Sequence, residues 1–246
     1  MVGLIKLVTK YINKNYKILD NKFSIFLNNR IFEPNLTTIL LIEAARKIIR
    51  KNDKVLDLGC GSGVIGCYLY KNKIIKHIYG SDISKDAVNC SIYNSKKLTK
   101  NYDIRLSNSF SNWKNKQFDL IINDISGISS QINSISKWFK FAPNQSGNDG
   151  TKFTINILRD FKNKKFKNAR LIFPVLGLSN REKIIKFLKK NKINFKILSK
   201  KEWPLPKDLV KHQGILKKLK SEKKINYHEK FSILFTTTEI FYLNNE

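Results

Sequence analysis

From residue 54 onward the chain alternates between two hydrophobic periods. Short apolar or β-branched runs closed by turn residues, "KVLDLG", "HIYGSDIS", "YDIRLSN", "FDLIIND", "ARLIFPV" and "NFKILSK", read as strands. Between them lie stretches with helical spacing: "GVIGCYLYKN", "SKDAVNCSIYNSKKL", "DGTKFTINILRDFKN" and "SNREKIIKFLKKN". Ser84 or Asp82 is placed to cap the second of these, and a serine precedes the last. The closing run "FSILFTTTEIFYL" has the composition of a long terminal strand. Strands alternating with helices predict an α/β fold with a doubly wound, seven-stranded, mostly parallel sheet.

Two segments fall outside this repeat. Residues 1–35 read as an appendage made of an amphipathic helix, "LIKLVTKYINKNY", and a hairpin whose turn is Asn28-Asn29. Residues 36–246 form the main domain, with a basic insertion over about 200–230 before the last strand. Pro204 and Pro206 break regular structure there, and a short lysine-rich helix is expected to follow.

The chain has 246 residues, 41% of them hydrophobic, enough to build one core. Residues 1–8 are interrupted by Lys6 and lack a cleavage pattern, so no leader is read there. No run approaches a membrane span, and a cytoplasmic protein without membrane contact is expected. Cys60, Cys67 and Cys90 form no C-x-x-C pair and suit a reducing compartment. His77, His212 and His228 are scattered, so no metal site is expected. The formal charge of +28 has two explanations: lysine enrichment by codon drift in an AT-rich genome, or a surface that faces a polyanion.

The candidate chemistry lies in "VLDLGCGSGVIG" at residues 55–66. Gly61, Gly63 and Gly66 spell the dinucleotide pattern G-x-G-x-x-G, whereas Gly59, Gly61 and Gly63 spell the G-x-G-x-G that cradles S-adenosylmethionine. Asp57 just before the turn would repel a pyrophosphate and attract the ammonium and sulfonium of a methionine moiety. Asp82, about twenty residues past the turn, suits the hydroxyls of a ribose with either cofactor. S-adenosylmethionine is therefore the expected cofactor. A nicotinamide-dependent oxidoreductase is the minor alternative.

"VLDLGCGSGVIG", "GSDIS", "NSF" and "FDLIIND" together resemble the class I S-adenosylmethionine-dependent methyltransferases, a Rossmann-like family. The likeness covers about residues 30–200. It extends to the small-domain branch that includes release-factor glutamine and rRNA guanine methyltransferases, through "FEPNLTTILLIEAA" and "PNQSGNDG". The resemblance implies that Asp57, Gly59, Cys60, Gly61 and Gly63 line the methionine end, with Pro34 and Thr38 helping to close it. It implies that Asp82 binds the ribose and that Ile83, Ser109 and Phe110 lie at the adenine. For Ile83 and Phe110 core packing is the alternative fate.

The branch carries N-P-P-[YF] after the fourth strand, and this chain has Asn123-Asp124-Ile125-Ser126 instead. Without the prolines and the ring, amide or base-amine specificity does not carry over. Asn123 and Asp124 are the candidate catalytic residues, Asp124 accepting a proton or hydrogen bond from the nucleophile and Asn123 orienting it and bordering the cofactor. Asp124 capping the following turn is the alternative.

These features lead to a methyltransferase acting on a nitrogen or oxygen of a translation-associated macromolecule, either an RNA or a ribosomal or release-factor protein. A small-molecule methyltransferase with Trp138, Phe139 and Trp203 lining its pocket is the second reading. A non-catalytic cofactor-binding homologue is the third.

Overall fold

Strands β3 (Val55–Leu58) and β6 (Leu120–Asn123) are buried at every position. Strands apolar on both faces belong at the centre of a parallel sheet, and that is where these two lie, paired in parallel with Leu58 opposite Asn123. The computed structural model describes residues 10–125, 127–136, 138, 145–162, 166 and 168–244. To one side of β3 lie β4 (Ile78–Asp82) and β5 (Tyr102–Leu106), both parallel to it. To the other side of β6 lie β7 (Arg170–Leu176), also parallel, then β10 (Ile233–Asn244) and β8 (Phe195–Pro204), which run antiparallel. The expected seven-strand path is thus present in the order β5-β4-β3-β6-β7-β10-β8, and a short β9 (His228–Lys230) pairs with β10 to make eight. The chain order reverses between β3 and β6. In doubly wound sheets the crevice at that switch point, at the carboxyl ends of the strands, is where ligands bind.

Helices cover both faces. On one, α1 (Leu36–Ile48) and α2 (Val64–Lys71) bury Leu40, Leu41, Ile65 and Leu69 against Val55, Leu120 and Ile122. On the other, α5 (Lys152–Phe161) and α6 (Arg181–Lys190) bury Leu158, Phe161, Ile184 and Leu188 against Leu56, Leu58 and Ile121. Alternate strand residues go to opposite faces, so Asp57 shares the face of Val55 and lies beneath α2. Asn35 caps α1 through hydrogen bonds from the Thr37 and Thr38 amides, Ser84 caps α3 (Lys85–Lys96), and Asn180 rather than a serine caps α6.

The N-terminal expectations need two corrections. Ile12–Ile18, the second half of the stretch read as a helix, is strand β1, and residues 4–9 of that stretch lie outside the described residues. The hairpin turns at Leu19-Asp20, not at Asn28-Asn29, and pairs Ile18 with Asn21 at the start of β2 (Asn21–Leu27). Period-two burial of Phe23, Ile25 and Leu27 fixes this register, because a one-residue slip would expose all three. Asn28 instead accepts a hydrogen bond from the Arg30 amide and turns the chain toward α1. The hairpin shares its core with α1 and α2 through Ile18, Phe23, Ile25 and Leu27.

The break expected near residue 200 lies further on. β8 continues through Trp203 and Pro204, which an edge strand tolerates because the missing N–H faces no partner strand. The insertion then runs from Leu205 through α7 (Lys207–Val210) and α8 (Gln213–Ser221) to β9. Leu205, Leu209, Leu216, Leu219, Ile225 and Tyr227 form a satellite core with Ile128 and Ile132, the latter on α4 (Ser130–Ile135), a helix absent from the sequence reading. The Leu205 amide donates to the Leu234 carbonyl at 2.7 Å and closes the insertion at its base.

At the amino end of the sheet, Arg170 on β7 is nearly inaccessible and donates to Asp53 at 2.5 Å and to the Ile48 carbonyl. It ties the end of α1 to the start of β3. Removing one partner of a buried pair leaves the other charge unmatched, at a cost of about 3 to 5 kcal/mol. Arg170→Ala should lose about that much stability in urea unfolding, and Asp53→Asn should also destabilise. A loss below about 1 kcal/mol for both would show that the pair does not organise this end of the fold.

Candidate cofactor and active site

The carboxyl ends of β3, β4 and β6 open into a cavity of ≈ 740 Å³. Its first wall is the turn from Gly59 to Gly63, which leads into α2 with all three glycines at positive φ, +78°, +52° and +78°. Two of them are required by packing. A Cβ on Gly59 would lie 2.6 Å from the Ile125 side chain, and one on Gly63 would lie 2.4 Å from Ser91 Oγ. Gly61 differs, since nothing lies within 4 Å of the place its Cβ would take, although it lines the cavity. The open face of Gly61 is the point where a ligand can approach the backbone most closely. Gly66 is inside α2, where a Cβ would meet Ile78 of β4 at 2.8 Å, so its glycine serves helix-to-sheet packing and not a pyrophosphate.

Asp82, at the end of β4, lines the cavity next to Gly61. Its Oδ2 accepts from the Gly61 amide at 3.0 Å and its Oδ1 from the Ser84 amide at 2.9 Å. Burial holds its carboxyl above the ordinary range while these amides pull it back. Each oxygen keeps a lone pair that can accept from a hydroxyl. Ile83 beside it is 56% exposed on the cavity wall and leaves an apolar surface open to a ligand. Ser109 lies on the same wall at φ +52°, its hydroxyl donating to Asp160.

Two expected residues turn away. Phe110 is buried in the core beneath α5, its ring 4.5 Å from that of Phe166, and does not line the cavity. Asn123 is also buried outside it, its Oδ1 accepting from the Ile125 amide at 3.1 Å. Asn123 therefore shapes the turn and does not orient Asp124.

That role belongs to Thr38, which the sequence placed only at the rim. Its hydroxyl donates to Asp124 Oδ2 at 2.9 Å across 86 residues of sequence, and both line the cavity, as does Pro34. Burial pushes the Asp124 carboxyl up to about 7, opposed by the Thr38 bond. Asp57 lies behind the turn, outside the lining. Its Oδ2 accepts from the Gly66 amide at 3.3 Å and its Oδ1 is buried without a partner. Burial, and then the neighbouring Asp124 carboxyl, push it up to about 8. Asp57 thus acts on the cavity through its grip on α2 and not through direct contact. Cys60 lines the cavity as a buried free thiol.

The far end is apolar. Trp203 and Trp138 stand there with ring centroids 6.0 Å apart, beside Leu176 and Phe153, and Trp203 Nε1 donates to Thr238 Oγ1. Phe139 lies outside the described residues. Of the described part of "PNQSGNDG", Gln145 lines the cavity and Asp149 pairs with Lys183 of α6 at 2.6 Å. Among the described residues no group of three or more His, Cys, Asp or Glu is placed to hold a metal, and no helix is long and apolar enough to cross a membrane.

The donor set fits S-adenosylmethionine: hydroxyl acceptors on Asp82, an open glycine face, an exposed Ile83, and a buried carboxyl oxygen without a partner behind the turn. The two raised carboxyls also make a stability prediction. Asp57 and Asp124 stay protonated in the folded chain well above the value of 3.8 where the unfolded chain releases its protons. Their contribution is complete below that value and is lost as pH rises through about 7 and 8. In urea unfolding of the free protein, stability should fall with pH across this window, by up to about 1.4 kcal/mol per pH unit for each group. Asp57→Asn should flatten the slope, and an unchanged slope would show that Asp57 titrates normally.

Residues 23–125 match the family described as "Methyltransferase small domain". A release factor glutamine methyltransferase of Dictyoglomus turgidum is 31% identical over 186 residues, 70% of this chain and 65% of that protein. A ribosomal protein L11 methyltransferase of Thermosipho melanesiensis is 33% identical over 118 residues, 47% of this chain and 45% of that protein. The chain thus spans less than two thirds of the length of either relative. Among solved structures, a chain of the E. cuniculi Mtq2-Trm112 complex, described as responsible for methylation of the eRF1 translation termination factor, superposes with a TM-score of 0.53. It shares 12% identity, with 88% of this chain and 99% of that chain covered, a likeness of fold. Residues 23–125 are accordingly similar to the methyltransferase small domain, and the chain as a whole shares its α/β fold with that solved structure.

Proposed function

We propose that this chain is an S-adenosylmethionine-dependent methyltransferase that methylates a nitrogen of a translation-associated macromolecule, a ribosomal or release-factor protein or a ribosomal RNA. The observation that carries the reading is the meeting of Asp82, the open Gly61 and the Thr38-held Asp124 in one cavity. The activities for which the release-factor and L11 relatives are named support the macromolecular class of acceptor.

When bound, S-adenosylmethionine supplies an activated methyl group on a sulfonium, so the protein's task is placement and charge. Asp82 holds the ribose hydroxyls, Ile83 packs on the adenine, and the turn from Gly59 to Gly63 admits the methionine part. Asp57, behind the turn, holds the start of α2 in place through the Gly66 amide. A nitrogen that gains a methyl must lose a proton, and Asp124 Oδ1, the oxygen not held by Thr38, is the base that takes it. A carboxyl near 7 is matched to proton transfer at neutral pH. Trp138 and Trp203 shield the acceptor end from water.

That apolar end also favours a second reading, a small flat acceptor held beside Trp138 and Trp203. A labelled-methyl assay on fractionated cell extract separates the two, since label in the low-mass fraction would move the assignment. In calorimetry the protein should bind S-adenosylmethionine and its demethylated product, and Asp82→Ala should weaken both at least about tenfold. Asp124→Asn should keep cofactor binding and lose on the order of 100-fold in transfer. No heat with either molecule would sink the enzyme reading, and full transfer by Asp124→Asn would remove the base.

A further inference from the structure

The β9–β10 hairpin closes in two residues, Phe231 and Ser232, between the paired Lys230 and Ile233. Both lie at positive φ, +50° and +58°, as this tight turn demands. Asparagine and glycine normally occupy such positions because a bulky residue in the left-handed region is strained. Here the first position is a phenylalanine that is 96% exposed, so no burial offsets the strain. The hairpin is held firmly at its base. Tyr227 and Ile225 are buried in the insertion core, and Glu202 of β8 bonds Lys230 at 2.7 Å and approaches His228 at 3.3 Å. A rigid support carrying a strained, exposed ring is the form of a contact residue.

The segment that leads into the hairpin states the chemistry of the partner. Residues 205–230 hold eight lysines against three carboxylates, and Glu222 is already bonded to Lys224. α8 buries Leu216 and Leu219 in the insertion core and exposes Lys217, Lys218 and Lys220. That core also contains Leu178 and Leu205 and packs against Trp138 and Trp203, which line the cavity. Lysine drift across a genome would raise the charge but would not set a phenylalanine in a left-handed turn. Cations and an exposed aromatic ring carried by one segment are the combination that binds unpaired nucleotides, phosphates on the lysines and a base face on the ring.

We propose that the insertion, through Phe231 and the exposed lysines of α8, is a docking surface for single-stranded RNA. The proposal rests on the methyltransferase reading only in making that RNA the carrier of the acceptor, because the contact itself is measurable without methyl transfer.

The test is fluorescence anisotropy of the full chain with a labelled, mixed-sequence, single-stranded RNA oligonucleotide over a range of salt, with calorimetric S-adenosylmethionine binding measured in parallel. The chain should bind the oligonucleotide, with affinity falling steeply as salt rises. The double variant Phe231→Asn, Ser232→Gly should weaken binding roughly tenfold, the loss of about one stacked base. It should also raise the thermal midpoint, because it relieves the turn. Replacing Lys217, Lys218 and Lys220 with Gln should reduce the salt slope by roughly 2. Both variants should keep cofactor binding. No RNA binding by the wild-type chain, or undiminished binding by the hairpin variant, would overturn the proposal. Phe231-dependent binding of polyglutamate with none of RNA would also overturn it, and would reassign the surface to an acidic protein. RNA binding with these dependences but no cofactor binding would uphold the docking surface and sink the enzyme reading.

Discussion

The parallel register of β3 on β6 is the constraint from which the site follows. With Leu58 opposite Asn123, the Leu58 carbonyl accepts from the Asp124 amide at 3.0 Å, so the glycine turn and the N-D-I segment leave the sheet at one level. Gly59 must then be a glycine, because Ile125 fills the space above it. The same pairing sends Asp57 and Asp124 to the α1 and α2 face, where Thr38 reaches one and the Gly66 amide reaches the other. A slip of either strand by one residue would turn that strand's carboxyl toward the leucines and phenylalanines under α5.

The charge of the whole molecule and the charge of its site have opposite signs. The surface carries a large excess of lysine, while the cavity and the layer behind it collect Asp57, Asp82 and Asp124, all with raised carboxyls. Burial is the leading cause for each of the three, and repulsion by Asp124 adds to it at Asp57. A bound cation would relieve that energy and a pyrophosphate would add to it. Discrimination between a cationic and an anionic ligand therefore belongs to the buried group of carboxyls as a whole, and Asp57 adds to it without lining the cavity.

What could be read from the chain alone was what is local. The strand runs, the glycine turn and Asp82 are each specified by neighbours in sequence, and the sheet and its order of parallel strands follow from them. The period-two rule already places Asp57 on the face of Val55, yet a motif-centred reading aimed it at the ligand. Phe110 was ambiguous because a phenylalanine after a strand suits both a ring-binding wall and a core, and Phe166, which decides it, is 56 residues away. Thr38 and Asp124 carry no shared local signal, since only the packing of α1 over the sheet brings them within a hydrogen bond. The hairpin turn was misplaced because an Asn-Asn pair outranks Leu-Asp as a turn by composition, whereas the burial of Phe23, Ile25 and Leu27 sets the register.

The clamp between Leu205 and Leu234 has an evolutionary meaning. β8 and β10 are already antiparallel neighbours, with Pro204 opposite Phe235, so the sheet brings the two ends of the insertion together whatever lies between them. Lengthening a loop whose ends are already joined costs only a logarithmic increment of entropy. The segment packed behind Trp138 and Trp203 can therefore be exchanged, extended or trimmed as a module while the sheet and the glycine turn stay unchanged.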